Sequence, residues 1–394
     1  MKKEKKPQSI TKKVVKTVAF SLLGVIGVCI LTVGSYLLYV VIDYDRIEDN
    51  QVLTVNSHAT KEKVELNKEL KATTFNIGFG AYSDEYSFFM DKGYAKDNQT
   101  MIHGQYGKAI SYEDALNNTN GCVELSKTFN SDFYLFQEVD KYSDRAYKID
   151  QENKILEAYQ NVDSTYAVNF HSAYLFYPFN DPHGKSLAGL STLSEYKINE
   201  ATRKRYTISD GFDKYLDLDR CFSVNRLSTE NNKELVLINS HMSAYDEGGK
   251  IRNKQLNELN EFMKEETLKG NYVVCGGDFN HNLLSNNPLY PQYTQDKLPY
   301  SETFTQRSPD WINFMYDEKG ETVIDNQFKI YSGDNEPTCR ACDSPYDRGF
   351  TYVTAVDGFI VSNNVEVSKC ETVKIGSGFE FSDHQPVNLT FKLL

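Results

Sequence analysis

Apolar residues in this 394-residue chain form one long run near the N-terminus and many short runs after it. The long run, Thr17–Ile42, contains 26 residues and none of them is charged. As a helix it is long enough to cross a bilayer core of ~30 Å with some tilt. The pattern therefore predicts a transmembrane helix, because a buried core helix of a soluble domain would show a polar face.

The charges on the two sides of this run have opposite signs. Seven lysines precede it and four acidic residues follow it: Lys2, Lys3, Lys5, Lys6, Lys12, Lys13 and Lys16, then Asp43, Asp45, Glu48 and Asp49. The positive-inside rule then places the N-terminus in the cytoplasm and the rest of the chain outside. The alternative is a cleaved signal peptide, but its apolar region normally has ~7–15 residues and ends in a small-x-small site. We therefore favour an uncleaved signal anchor.

Short apolar segments rich in Val, Ile, Phe, Tyr and Thr recur from residue 72 to the end and predict β-strands. They are Ala72–Ile77, Phe133–Gln137, Tyr166–Phe170, Cys221–Leu227, Leu235–Ser240, Tyr272–Cys275, Tyr352–Ser362 and Val387–Leu393. Two helices are predicted between them, one capped by Ser111 and running toward Phe129, the other from about Gly249 to Leu268. Gly270 follows the second helix as a stop signal. The chain from about residue 71 onward is therefore predicted to be one mixed α and β domain.

Four regions follow from these patterns: a Lys-rich cytoplasmic tail (1–16), the anchor (17–42), a polar stalk (43–70) and a catalytic domain (71–394). Residues 1–42 hold seven lysines and one glutamate, so the rest of a chain with net charge −12 carries about −18. So acidic a domain does not bind nucleic acid through bulk electrostatics, and no sequence-specific nucleic-acid binding is expected. Clustered carboxylates instead suit a divalent cation.

Asn, Asp, Glu and His residues occur at the ends of the predicted apolar strands. Six motifs occur in order: Thr74-Phe-Asn-Ile77, Phe136-Gln-Glu-Val-Asp140, Asn239-Ser-His-Met242, Gly276-Gly-Asp-Phe-Asn-His281, Val356-Asp-Gly-Phe359 and Ser382-Asp-His-Gln-Pro386. Strand ends are where an α/β scaffold presents side chains to a cleft. Each motif alone is weak, because a turn asparagine or a buried histidine is common. All six in this order indicate one polar site.

With these motifs, above all Gly-Asp-Phe-Asn and Ser-Asp-His, the sequence resembles the endonuclease/exonuclease/phosphatase superfamily from about Lys71 to Leu394. That group includes deoxyribonucleases, abasic-site endonucleases, sphingomyelinases and inositol polyphosphate 5-phosphatases. The resemblance implies an α/β (α+β) fold, a four-layer α/β/β/α sandwich of two packed mixed sheets. It also implies a hydrolase that cleaves phosphoesters with Mg²⁺ or Mn²⁺.

Residue roles follow from the resemblance, motif by motif. Glu138 would be the main carboxylate ligand of the metal, with Asn76 beside it and Asp383 as a further metal residue. Asp278 and Asn280 would orient the attacking water and hold a phosphoryl oxygen. His384, supported by Asp357, would be the general base or the phosphate-binding histidine. His241 would act across the cleft as general acid or transition-state donor.

Three questions stay open from the sequence. Arg145 is expected either to reach a substrate phosphate or to pair with a surface acid. Cys339 and Cys342, the only close cysteine pair among seven, form either a local disulfide or two free thiols. The substrate is extracellular nucleic acid, a phospholipid headgroup, or a sugar or inositol phosphate. A catalytically inactive binding module on the same fold and a purely structural surface protein are the non-enzymatic alternatives.

Overall fold

The computed structural model describes residues 10–209, 211–215, 218–244, 250–283, 304–309, 312, 315–316, 321–373 and 378–394. The chain forms two compact units, Met1–Asp45 and Arg46–Leu394. The described residues of the first unit, 10–45, contain one helix, α1 (Ile10–Asp43). Its segment Lys12–Asp43, of 32 residues, is long and apolar enough to cross a membrane. A signal sequence near an N-terminus meets the same criterion of length and apolarity, so this helix is either an anchor or a signal sequence.

Two mixed sheets form the body of the second unit, with strands numbered along the chain. The seven-stranded sheet contains, in spatial order, β1 (Gln51–Val52), β8 (Glu200–Arg205), β9 (Cys221–Ser228), β10 (Glu234–His241), β11 (Tyr272–Asp278), β15 (Asp357–Ser362) and β12 (Phe328–Tyr331). The six-stranded sheet contains β16 (Val365–Thr372), β17 (Val387–Leu393), β2 (Leu70–Asn76), β5 (Phe133–Asp140), β7 (Leu187–Ser194) and β6 (Asp163–His171). Two short hairpins complete the described strands: β3 (Lys92–Tyr94) with β4 (Met101–His103), and β13 (Cys339–Arg340) with β14 (Val353–Thr354).

The two sheets pack face to face around a core of alternating inward residues such as Leu135, Leu237, Val274 and Leu389. Helices α2 (Tyr112–Lys127) and α3 (Gln151–Ala158) cover the outer face of the six-stranded sheet. Helix α4 (Lys250–Leu268) covers the outer face of the seven-stranded sheet. The second unit is therefore an α/β/β/α sandwich, which confirms the predicted fold class.

Both helices predicted in this unit are present. The Ser111 side chain accepts a hydrogen bond from the Asp114 backbone N–H at the start of α2, as the capping pattern predicts. Helix α4 begins at Lys250 in the described residues, and the predicted first residue Gly249 lies outside them. Gly270 has φ of +80°, the left-handed conformation that ends a helix.

The segment predicted as a stalk is folded onto the sandwich from Arg46 onward. Leu53 donates its backbone N–H to Ala201 O at 2.9 Å, and Val64 donates to Ser228 O at 2.8 Å. Both side chains are buried in the core between the sheets. The polar composition of this segment was misleading, because isolated apolar residues without a period of 2 or 3.6 still fill positions at the edge of a core.

One predicted strand, Tyr352–Ser362, is two strands in the structure. Thr338 Oγ1 accepts hydrogen bonds from the backbone N–H groups of Val356 and Asp357, both at 3.0 Å. The chain leaves the β13–β14 hairpin at this point and enters the seven-stranded sheet as β15. Both halves are apolar, so the pattern did not reveal the change of partner strand.

Two parallel strand pairs define one end of the sandwich. Strands β2 and β5 run parallel with Asn76 beside Gln137, and β10 and β11 run parallel with His241 beside Asp278. The carboxyl ends of all four strands therefore lie together. We call this edge of the second unit the site end.

Candidate active site

The six motifs converge at the site end, and Asp278 lies at the centre of the group. Asp278 Oδ2 accepts a hydrogen bond from Asn76 Nδ2 at 3.0 Å and lies 3.4 Å from His241 Nε2 and 3.8 Å from His384 Nε2. Asn76 Nδ2 also lies 3.2 Å from Glu138 Oε1. Five residues from five different strands or loops thus meet in a space of a few ångströms.

His384 is held in position by hydrogen bonds on two sides. Its Nδ1 lies 2.8 Å from Asp357 Oδ2. Its backbone N–H donates to Ser382 Oγ at 3.1 Å, and that hydroxyl donates to Asn76 O at 2.9 Å. Ser382 therefore ties the His384 loop to the end of β2. The sequence motif included Ser382 but did not indicate this role.

A backbone irregularity directs Glu138 toward the site. Glu138 has φ of +53°, and the register of β5 against β7 shifts between Phe136 and Val139. A left-handed conformation is unfavourable for a residue with a Cβ by roughly 1–2 kcal/mol. Such a bulge turns a side chain out of the regular alternation. The Glu138 side chain is 20% exposed, which makes it more accessible than the other carboxylates of the group at 14% or less.

The two histidines have pKa values shifted in opposite directions. Burial lowers the pKa of His241 well below its ordinary value, and the nearby Arg220 guanidinium adds to this effect. Burial also opposes the charged form of His384, but Asp357 and the other acidic groups raise its pKa well above the ordinary value. The surroundings of His241 therefore favour its neutral form, and those of His384 favour its protonated form.

Within the described part of the chain, the carboxylates of the site have no cationic partner other than these histidines. Among the described residues, no Lys or Arg nitrogen lies within 4.0 Å of Glu138, Asp278, Asp357 or Asp383. Burial raises the pKa of Glu138, and the more distant Arg145 only partly offsets that. Oxygen donors concentrated without a counter-charge suit a hard divalent cation. Asp278 and Asp357 also offer oxygen atoms within 4.8 Å of each other and of a His384 nitrogen, which would be a ligand atom only in the unprotonated ring.

Asn280 is also at the site, whereas Arg145 is bound elsewhere. Asn280 Nδ2 donates to Met242 O at 2.9 Å, and its backbone N–H donates to Asp278 Oδ1 at 2.9 Å. Arg145 makes two hydrogen bonds of 2.8 Å to the buried carboxylate of Asp140, and its guanidinium lies 3.9 Å from the Phe79 ring centre. The Arg145 side chain is only 4% exposed. Arg145 therefore pairs with an acidic residue, as one of the two expectations stated, but that residue is buried and not at the surface.

Cys339 and Cys342 are buried free thiols beside this group. Cys339 Sγ lies 3.7 Å from His384 Nε2, and Cys342 Sγ lies 3.5 Å from Asp383 Oδ2. The sequence left open whether these cysteines form a disulfide or are free thiols, and in the structure they are free thiols.

Two residues that the sequence did not single out also belong to the site. Asn169 Nδ2 lies 3.3 Å from His241 Nδ1, and the Asn169 Oδ1 atom is buried without a hydrogen-bond partner. Arg220 is buried, and its Nε and Nη1 atoms have no hydrogen-bond partner in the described part of the chain. An asparagine inside the apolar strand β6 was a usable signal for Asn169. Arg220 lies in a polar stretch that carries no such signal.

No protein-family model matches the sequence, and no curated protein matches it. Solved structures do match. An endonuclease/exonuclease/phosphatase from Beutenbergia cavernae has a TM-score of 0.51 and 11% identity, covering 83% of this chain and 72% of that one. Truncated TDP2 from Caenorhabditis elegans has a TM-score of 0.46 and 15% identity (82% and 98% covered). ANGEL2, a 2',3'-cyclic phosphatase, has a TM-score of 0.49 and 13% identity (89% and 99% covered).

The first of these matches, together with the sheet order, defines the class of fold. The chain has the fold of the endonuclease/exonuclease/phosphatase proteins, which confirms the resemblance noted in the sequence.

Proposed function

We propose that this protein is a membrane-anchored, metal-dependent phosphoester hydrolase whose catalytic unit lies outside the cytoplasm. The observation that carries the proposal is the convergence of Glu138, Asp278 and Asp383 on His241 and His384, with no Lys or Arg nitrogen within 4.0 Å of these carboxylates among the described residues. The pKa values of the two histidines are shifted in opposite directions. Phosphoester cleavage needs a cation for the phosphoryl oxygens and separate groups that accept and donate protons.

Glu138 and Asp383 would hold Mg²⁺ or Mn²⁺ at the site. Asn76, whose Nδ2 donates to Glu138 and Asp278, would position these carboxylates beside the ion. The bound ion would neutralise the charge that develops on the phosphoryl oxygens. Glu138 is suited to this role because its carboxylate is the most exposed of the group and has no competing cation within 4.0 Å among the described residues.

The protons would be handled by the chain's own residues. Asp278, with Asn280 beside it, would orient the attacking water and accept its proton. His384, protonated and held by Asp357, would bind a phosphoryl oxygen. Asn169 Nδ2 can only donate to His241 Nδ1, so His241 would carry its proton on Nε2. His241 would thus act as a neutral hydrogen-bond donor to the transition state.

Arg220 would contribute a second cationic group for the substrate phosphate. A buried guanidinium without a carboxylate partner is costly, and an anionic ligand would satisfy it. Its charge lowers the pKa of both His241 and Glu138, which supports a role for Arg220 beside these two residues.

The membrane anchor would be α1, retained as an uncleaved signal anchor. The lysines before it and the acidic residues after it support a cytoplasmic N-terminus and an outer catalytic unit. Protease added to intact cells should remove the second unit and leave the N-terminal tail protected. Protection of the second unit would contradict this topology.

The activity is tested on the full-length protein in detergent. Bis-p-nitrophenyl phosphate, DNA, phospholipid and inositol phosphates are incubated with Mg²⁺, Mn²⁺ or EDTA. We expect hydrolysis that EDTA abolishes and that His384→Ala lowers by about 10²–10⁴-fold. The exposed histidine His58 provides the matched control His58→Ala, which should retain full activity. EDTA-resistant hydrolysis, or no turnover of any substrate, would contradict the proposal and favour an inactive binding module.

A further inference from the structure

Exposed aromatic side chains of the second unit gather at one end. Five of its described aromatic residues are exposed, and we call them the aromatic rim: Tyr112, Tyr142, Phe176, Tyr177 and Phe179. The exposed fractions rise to 84% for Phe179. A large apolar ring in water is unfavourable, so a group of them marks a surface that contacts something apolar.

Strand register places the rim at the site end. Tyr142 follows β5, the strand that carries Glu138. Phe176, Tyr177 and Phe179 lie in the loop from β6 to β7, and β7 begins beside Asp140 at the end of β5. Helix α2 leads back to the start of β5, so its first residue, Tyr112, lies toward the site end as well.

The rim loop is held by contacts with the interior. The rings of Phe179 and Tyr177 lie 5.7 Å apart, and those of Tyr177 and Phe89 lie 5.5 Å apart. Phe89 contacts the ring of buried His183, whose Nδ1 bonds the Gly107 carbonyl. These contacts favour a rim that is presented in one arrangement and does not collapse onto the surface.

The chain enters the second unit at the same end. Arg46 pairs with Asp219 and donates to Tyr206 O at 2.6 Å. Tyr206 and Asp219 are close in sequence to Arg205 and Cys221, which lie opposite each other on β8 and β9. Cys221 also lies opposite His241 on β10, so this is the site end. The second unit therefore begins at the site end.

We propose that the site end docks on the bilayer through the aromatic rim, and that the substrate is the phosphoester of a lipid headgroup. This inference rests on the proposed hydrolase function and names its substrate class. Tyr and Phe rings are favourable at the boundary between headgroups and acyl chains. The charge of about −18 beyond residue 42 disfavours a polyanionic nucleic acid as the occupant.

Docking is tested with tryptophan probes in the full-length protein, reconstituted into phosphatidylcholine vesicles that contain brominated phosphatidylcholine. The single native tryptophan is removed by Trp311→Phe. Phe179→Trp probes the rim, and Leu268→Trp, also exposed but at the far end of α4 from the site, is the control. We expect strong bromine quenching for Phe179→Trp and little for Leu268→Trp. Equal quenching at the two positions, or none at Phe179, would overturn docking by the rim.

The substrate class is tested with the triple variant Phe176→Ser, Tyr177→Ser, Phe179→Ser. We expect the ratio of vesicle-phospholipid hydrolysis to bis-p-nitrophenyl phosphate hydrolysis to fall by at least about tenfold, as loss of ring insertion predicts. An unchanged ratio, or a larger loss on single-stranded DNA than on phospholipid, would overturn the lipid assignment but leave the hydrolase proposal intact. Absence of turnover in the unmodified protein would refute both proposals, whereas the quenching result would still report on docking.

Discussion

His384 Nδ1 lies 2.8 Å from Asp357 Oδ2 in a site where both side chains are buried. This contact fixes the imidazole ring and, with the neighbouring acidic groups, raises the pKa of His384 well above its ordinary value. The other ring nitrogen then faces Asp278 as a proton-bearing group. The pair explains how a buried histidine keeps its charge at neutral pH.

Asp357→Asn should shift the alkaline limit of activity to lower pH. In the unmodified protein, protonated His384 persists until the pH rises through its raised pKa, and activity that needs this proton is lost there. Without the carboxylate, burial dominates and the pKa falls. We expect kcat/KM at pH 7 to drop by about 10²–10⁴-fold. The pH–rate profile is the measurement, with the exposed Asp97→Asn as control; an unshifted alkaline limb would contradict the assignment.

The same pair has a consequence for stability. Because the folded-state pKa of His384 is raised, its contribution to the free energy of unfolding is fully present below the ordinary histidine pKa of about 6.5. That contribution is lost as the pH rises through the raised value. The gap in thermal stability between the unmodified protein and Asp357→Asn, measured without metal, should therefore shrink at alkaline pH. A gap that grows with pH would be incompatible with the pair.

Glu138→Gln should separate metal binding from folding. The substitution preserves shape but removes the charge that would hold the cation. We expect affinity for Mn²⁺, measured by calorimetry, and Mg²⁺-dependent turnover each to fall by at least about 100-fold. The melting temperature without metal should be unchanged or higher, because a desolvated carboxylate without a counter-charge has been removed. Glu157→Gln, on the exposed face of α3, should change neither quantity. Retained Mn²⁺ affinity in Glu138→Gln would exclude Glu138 as the main ligand.

Arg220 and Arg226 lie six residues apart and should respond oppositely to replacement by methionine. Arg226 bonds Glu234 and Glu266, so Arg226→Met should destabilise the fold. Arg220 has unbonded guanidinium atoms in a buried position, so Arg220→Met should raise the free energy of unfolding by about 1–3 kcal/mol. It should also raise KM at least about tenfold if the guanidinium binds the substrate phosphate. Denaturant unfolding and steady-state kinetics on both variants provide the test. An Arg220→Met protein that is less stable, with unchanged KM, would assign Arg220 a structural role.

Arg145→Met should affect stability and leave substrate binding alone. Loss of the guanidinium leaves Asp140 buried and unpaired, which costs about 3–5 kcal/mol. The double variant Arg145→Met, Asp140→Leu removes both charges and should recover most of that loss. Denaturant unfolding compares the two variants. A raised KM in the double variant at recovered stability would return Arg145 to the substrate-binding group.

The sequence by itself determined the membrane-length helix, the mixed α and β class and most residues of the site, while the sandwich was implied by the family resemblance. The first three features depend on local signals: an uncharged run of 26 residues, strand-like and helical segments, and polar residues at strand ends. Strand ends converge in any sandwich with parallel pairs, so Asn76, His241 and Asp278 were predictable as neighbours. The Ser111 cap was predictable because a cap is a contact between residues three apart.

Tertiary structure alone decided which charges are satisfied. Arg145 and Arg220 look alike in the sequence. Arg145 has a buried carboxylate at 2.8 Å, whereas two guanidinium nitrogen atoms of Arg220 have no hydrogen-bond partner among the described residues. The left-handed turn at Glu138 and the packing of Leu53 and Val64 against the sandwich likewise depend on strands distant in the chain. Periodicity reports which face of a strand is apolar. It does not report which distant residues contact that face. Ion pairs, bulges and packing at sheet edges depend on those contacts.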